Sequence, residues 1–189
     1  VLAGDAQGRD GYTEALKTRI AAAGVEEQVR LVGHCADIAA AYRLAFVTAV
    51  PSTEPEAFGR AAAEALAMGC PIVVSDHGAP PEILRMGGDS GVDTPDPAER
   101  LGRLAVPGDA QSLAEGLGAV LALSPAARDS LRIEARTHVV RHFSKTRMQR
   151  ATLEVYDQLL GTRLAARASA RSCQNLQLNG APPPGAGGR

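Results

Sequence analysis

The sequence predicts an α/β fold built on a doubly wound parallel sheet, and three observations predict it. Short, largely apolar runs recur at Val1–Ala3, Val29–Val32, Phe46–Val50 and Pro71–Val74, as expected of strands buried on both faces. Segments with helical spacing separate them, and such alternation is the pattern of parallel α/β sheets. Bulky side chains are scarce, with no Trp, three Phe and three Tyr. Ala, Val, Leu and Ile must therefore build the core, with helices lying close to the sheet.

Each element follows in order. Val1–Ala3 reads as the inside of a strand that stops at Gly4-Asp5, so the chain reads as part of something longer. Tyr12–Ala23 places Ala15, Leu16, Ile20 and Ala23 near helical spacing, and Gly24 stops it. The second strand, Val29–Val32, ends at Gly33-His34, and Asp37 caps a short helix, Ile38–Leu44. Pro51 closes the third strand, Phe46–Val50. The segment STEPEAFGRAAAEALAMGCP, Ser52 to Pro71, then sets an acidic, proline-broken loop before an alanine-rich helix that Gly69 ends. Pro71–Val74 is the fourth strand, Pro81–Arg85 a helical turn, Gly87–Asp96 a loop and Arg103–Val106 the fifth strand. Asp109 caps a helix towards Leu123, and Ser124-Pro125 opens the next, because proline suits the first helical position. Ser144 opens the last, Lys145–Leu160. Residues 161–189 carry arginines but no acids and end in NGAPPPGAGGR, which reads as a disordered tail behind one domain, 1–160.

Bulk properties narrow the function. The chain is 45% apolar and 22% charged with net charge −1, which speaks against nucleic acid or an anionic membrane as partner. Cys35, Cys70 and Cys173 suggest no disulfide framework or zinc site, and a reducing, cytoplasmic compartment is the simpler reading. No apolar run is long enough to span a bilayer, and no secretory signal pattern is present. His138 and His142 have the spacing of a metal pair but lack the HExxH glutamate and a third ligand, so a solvated pair is favoured. No acidic cluster calls for a divalent metal. Gly4, Gly8 and Gly11 do not match GxGxxG spacing.

In open α/β sheets ligands bind at the carboxyl ends of strands. Four loops therefore matter: Gly4–Tyr12, Gly33–Asp37, Ser52–Gly59 and Ser75–Glu82. A helix N-terminus attracts anions, and a carboxylate suits vicinal hydroxyls. Glu56 before the helix and Glu64 within it, eight residues apart, fit a sugar joined to a ribose through a diphosphate. Spacing alone favours the plainer pair of readings, a helix-dipole acid at Glu56 and a solvated helix acid at Glu64. Arg60 reads equally as a phosphate contact or a helix-surface residue.

The run Glu56-Ala57-Phe58-Gly59, then Glu64, Ala65, Ala67, Gly69 and Pro71-Ile72-Val73, adds a motif to that spacing. With Arg30-Leu31-Val32-Gly33 and Asp37 before it, and His77-Gly78-Ala79 to Glu82 after it, it resembles the donor site of a known family. These are the retaining, nucleotide-sugar-dependent glycosyltransferases of group 1, of the glycogen-synthase and phosphatidylinositol-mannosyltransferase kind. The resemblance implies the Rossmann-like C-terminal half of a GT-B fold, incomplete at its N-terminus. It implies that Glu56, the candidate catalytic residue, holds hydroxyls of the donor sugar, and that the backbone of Phe58 and Gly59 faces sugar and diphosphate. Glu64 would hold the ribose, the backbone near His34 and Cys35 would border the base, and Gly78 would allow close approach of its loop. The nucleotide-sugar donor is then a substrate, with no metal or other cofactor.

The first strand and helix, their diphosphate clamp and an acceptor domain would precede Val1, and peripheral association with the inner face of a membrane would run through that domain. The whole enzyme would transfer sugar with retention in polysaccharide or glycolipid synthesis, while this fragment alone would bind donor weakly and turn over nothing. Two features depart from the family pattern: Ala79 replaces a common glycine, and Asp89–Gly102 is longer than usual. The alternatives are a non-catalytic nucleotide-sugar-binding domain, a sugar-nucleotide epimerase of the same fold and, more distantly, a flavodoxin-like signalling domain phosphorylated on Asp5.

Overall fold

The structure, a computed structural model, describes residues 1–6, 8–85 and 101–169. Its elements run β1 (Leu2–Ala3), α1 (Asp10–Ala23), β2 (Leu31–Gly33), α2 (Ile38–Leu44), β3 (Thr48–Val50) and α3 (Arg60–Ala67). They continue with β4 (Ile72–Ser75), α4 (Pro80–Arg85), β5 (Gly102–Ala105), α5 (Ala110–Leu121), α6 (Pro125–His142) and α7 (Lys145–Leu160). Every strand pair among the described residues is parallel. β1 pairs with β2, while β3, β4 and β5 form a second group in that order.

The core shows why β4 is the middle of the fold. Its four residues are all buried, and successive side chains face opposite sides. Ile72 and Val74 join Ala62, Ala65 and Leu66 of α3 and Leu131, Ala135 and Val139 of α6 on one side. Val73 joins Val120, Leu113 and Leu117 of α5 on the other. The alanines matter because Ala62 and Ala65 are fully buried, so α3 lies against the sheet with nothing longer than a methyl group between them there. Two arginines of α6 hold the far ends of the preceding helices. Arg132 donates to the Arg43 carbonyl at 3.1 Å and Arg136 to the Ala67 carbonyl at 2.8 Å, satisfying carbonyls that a helix C-terminus leaves unpaired.

Burial on both faces does not extend to the N-terminal strands. β1 is exposed, as are Val32 and Gly33 of β2, and β3 is only half covered at Thr48 and Val50. The reason is missing cover. Among the described residues β4 has a strand on each side, whereas β1 has one neighbour and α1 contributes no buried residue.

The predicted caps form at Asp37, Asp109, Ser124 and Ser144, each accepting from backbone N–H groups two or three residues on. Helix α1 starts at Asp10, ahead of the expected Tyr12, behind Arg9, which offers no side-chain cap. Phe46 and Val47 precede β3 instead of opening it, and Phe46 lies beneath the Arg128 guanidinium, 3.4 Å from ring centroid to Cζ. Strand β5 begins at Gly102 and ends at Ala105, one residue earlier than expected, and Leu101 before it is buried in the core. The loop expected at Gly87–Asp96 lies outside the described residues, as does the long Asp89–Gly102 link up to residue 100.

The start of the segment expected to be a disordered tail is ordered. Residues 164–169 are helical, and Asp157 holds that turn by accepting from Thr162 Oγ1 at 2.6 Å, Leu164 N at 2.6 Å and Ala165 N at 3.0 Å. One carboxylate thus supplies the N-terminal hydrogen bonds that the tail composition did not announce. Residues 170–189 lie outside the described residues.

Candidate functional site

Parallel pairing of β3 with β4 brings the loops after them, Ser52–Gly59 and 76–79, side by side. They are joined at several points. Ala79 N donates to the Glu56 carbonyl at 3.0 Å, and His77 Nε2 lies 2.8 Å from the Ser52 carbonyl. Ser52 Oγ donates to Glu56 Oε1. Asp76 N reaches across to the Ala105 carbonyl of β5 at 2.8 Å, tying the second loop to the sheet edge. Gly78 has φ +64, and a Cβ there would stand 2.7 Å from Glu56 N and 2.8 Å from Glu56 O. The space at Gly78 is therefore closed by the Glu56 backbone.

Gly59 follows as the N-cap of α3, with φ 75 and no side-chain capping bond. A Cβ there would meet Pro80 Cγ at 2.8 Å, so α4 packs directly on the start of α3. The first-turn N–H groups of α3 carry no side-chain cap, and such a terminus is a ready acceptor of anions.

Glu64 stands one turn further along. Its carboxylate pairs with Arg60 at 3.0 Å on an open surface. An exposed pair of this kind is worth little and yields readily to a competing ligand. Glu64, Arg60 and the half-exposed Phe58 line an open groove of about 470 Å³ between α3 and the α6–α7 corner, with Phe143 and Met148. The Phe58 and Phe143 rings meet edge to face with centroids 6.2 Å apart.

The Gly33–Asp37 loop and α3 both bear on Tyr42 of α2. Burial pushes the Tyr42 hydroxyl above its usual range, and Glu64, Cys70 and Cys35 push it further. Cys35 and Glu64 therefore both act on one buried phenol. His34, beside Cys35, is exposed. The Gly4–Tyr12 loop joins the Gly33–Asp37 loop through Gly4 N, which donates to the Gly33 carbonyl at 2.8 Å. A small cavity of about 190 Å³ at the ends of β4 and β5, bordered by Ser75, Ala105 and Asp109, contains none of the expected donor residues.

Other candidates resolve into structure. His138 Nε2 lies 2.7 Å from the Ile83 carbonyl and ties α6 to α4. The His142 ring, 4.9 Å from it between centroids, is held below its usual range by desolvation, then by His138, Arg141 and Arg147. Among the described residues no group of three or more His, Cys, Asp or Glu is placed to hold a metal ion. Nor is any described helix long and apolar enough to cross a membrane. Sequence reasoning gave Ser52, His77 and Tyr42 no role of their own. The only signal for His77 was its place beside Gly78, and its partner lies 25 residues away.

Residues 1–138 match the family described as Glycosyl transferases group 1. The chain belongs to the group 1 glycosyl transferases. This group 1 domain is 35% identical over 113 residues to a phosphatidyl-myo-inositol mannosyltransferase of Mycobacterium leprae (strain TN), covering 59% of this chain and 26% of that protein. It resembles a glycosyltransferase from Rickettsia africae ESF-5 with a TM-score of 0.73 and 25% identity, over 85% of this chain and 40% of that one. It also resembles Anabaena Alr3699/HepE, solved in complex with UDP-glucose, with a TM-score of 0.69 and 26% identity, over 83% and 40%. The chain therefore spans about a quarter of the mannosyltransferase and two-fifths of the two solved chains. The group 1 domain has the parallel α/β fold of a GT-B C-terminal half.

Proposed function

We propose that this chain is the donor-binding domain of a retaining glycosyltransferase that uses a nucleotide-sugar. The observation that carries the reading is the locked pair of loops: Glu56 is held against Gly78 and Ala79 immediately before the uncapped start of α3. A diphosphate at that helix start meets N–H groups and the positive end of the helix dipole. Glu56 then receives sugar hydroxyls, and Glu64 exchanges Arg60 for the ribose. Phe58 and Gly59 present backbone to the sugar and diphosphate, and His34 and Cys35 border the base. The complex of the Anabaena protein with UDP-glucose supports a donor of this class.

In this reading catalysis is electrostatic. Charge developing on the departing diphosphate is met by the helix terminus, and rate also comes from holding donor and acceptor together. No metal is needed. In this reading an acceptor domain and one more strand complete the enzyme, which the division of the strands into two groups supports. One parallel strand between β1 and β3 would complete the order 3-2-1-4-5-6 of doubly wound folds.

Calorimetric titration with UDP, GDP, ADP and their sugar conjugates tests the reading. Saturable binding of one nucleotide, weakened in Glu64→Ala, is expected. A folded chain that binds none at millimolar concentration would overturn donor binding by this domain alone. The anomeric configuration of the product, read by NMR on the polypeptide with its acceptor domain, tests retention.

A further inference from the structure

The contacts between the two loops single out a residue with no role in the donor reading. Ser52 is used twice: its carbonyl faces His77 Nε2 at 2.8 Å, and its hydroxyl donates to Glu56 Oε1. A carbonyl only accepts, so His77 must carry its hydrogen on Nε2. His77 thus reaches Glu56 through a single intermediary, while the Glu56 backbone rests on Gly78 and Ala79 of the same loop. Both His77 and Ser52 are half-buried, so water competes less for this bond than at an open surface. The His77 backbone is held in turn, because its amide N–H donates to the Ser75 carbonyl at the end of β4 at 2.9 Å. Among the described residues Glu56 Oε2 has no hydrogen-bond partner, and Ser52 occupies Oε1.

We propose that His77 is a positioning residue for the donor sugar. Through Ser52 it holds the Glu56 carboxylate in one orientation, with Oε2 presented to a sugar hydroxyl. This rests on the donor reading above and deepens it, since His77 serves the sugar and leaves the nucleotide to Glu64 and the helix start. A side chain ordered before binding does not have to be ordered by the ligand, and that lowers the cost of association.

The test compares each nucleoside diphosphate with its sugar conjugate (UDP and UDP-glucose, GDP and GDP-mannose, ADP and ADP-glucose). It uses the full chain as wild type, His77→Leu and His77→Gln, with thermal midpoints recorded in parallel. His77→Leu should lose about tenfold in affinity for the sugar conjugate, as expected for one lost hydrogen-bonded constraint, and keep its affinity for the free nucleotide. His77→Gln, whose amide keeps a donor at the Nε2 position, should restore the conjugate. An unchanged ratio of the two affinities in His77→Leu overturns the assignment alone. Equal loss of both affinities also overturns it, because a merely structural histidine behaves that way. Absence of binding by the folded wild-type chain overturns donor binding by this domain alone, and the assignment with it.

Discussion

Replacing Gly78 with alanine strains the contact on which the site is built. The backbone there has φ +64, a conformation that costs an L-residue about 1–2 kcal/mol. The new methyl would also lie 2.7 Å and 2.8 Å from the Glu56 N and O atoms and 3.2 Å from the Pro55 carbonyl carbon. These are backbone atoms of another loop, so no side-chain rotation relieves the clash, and overpacking of this kind costs a further 1–3 kcal/mol or about that. The total is about 2–5 kcal/mol. Gly108→Ala supplies the internal control, since Gly108 has φ +74 with nothing within 4 Å of its Cβ position. It should cost only the conformational share, about 1–2 kcal/mol. Urea unfolding followed by circular dichroism measures both variants. The difference between them isolates the approach of the two loops. If Gly78→Ala costs no more than Gly108→Ala, to within about 0.5 kcal/mol, the two loops are not packed as described.

Two other perturbations read different parts of the fold. Gly116 and Gly118 share α5, where alanine ordinarily gains about 1 kcal/mol over glycine. A Cβ at Gly118 meets nothing within 4 Å, but one at Gly116 lies 2.9 Å from Val73 Cγ1 in the buried β4. Gly118→Ala should therefore raise the melting midpoint by about 2–4 °C, and Gly116→Ala should lower it or leave it flat; two equal rises would refute the close packing of α5 on β4. Asp157 is held below the usual carboxylate range, first by Thr162 and then by the Ala165 and Leu164 amides. Its folded pKa is depressed, so its support of residues 164–169 is complete above about pH 4 and lost as pH falls through the lower folded value. Amide exchange at Leu164 and Ala165 should quicken across that acid window, and should already be fast at neutral pH in Asp157→Asn.

The middle of the fold was legible because it depends on short-range patterns. Glycines and a proline bracket α3 and β4, four of the helix starts carry their own capping side chains, and β4 is apolar at Ile72, Val73 and Val74. The motif also singled out Gly78, which the structure sets against the Glu56 backbone. Contacts made across long separations were not legible. Nothing local to His77 points to Ser52, and nothing near Tyr42 announces that Glu64 and Cys35 both act on it. The N-terminal strands misled for a different reason. Their apolar residues predict cover on both faces, yet whether a face is covered depends on what packs against it, which the strand cannot encode. The tail misled because one aspartate outside it, Asp157, orders its first turn.

The alanine face of α3 has a consequence for how this protein tolerates change. A core built from large side chains fails by losing atoms, because truncation opens cavities. At Ala62 and Ala65 almost nothing can be removed, and both are without exposed surface. Damage there comes from growth: any larger residue lifts the helix from β4, and the helix carries Gly59 and Glu64 with it. Drift in sequence at these two positions is thus filtered in one direction, against bulk, and the first thing displaced is the end that carries Gly59.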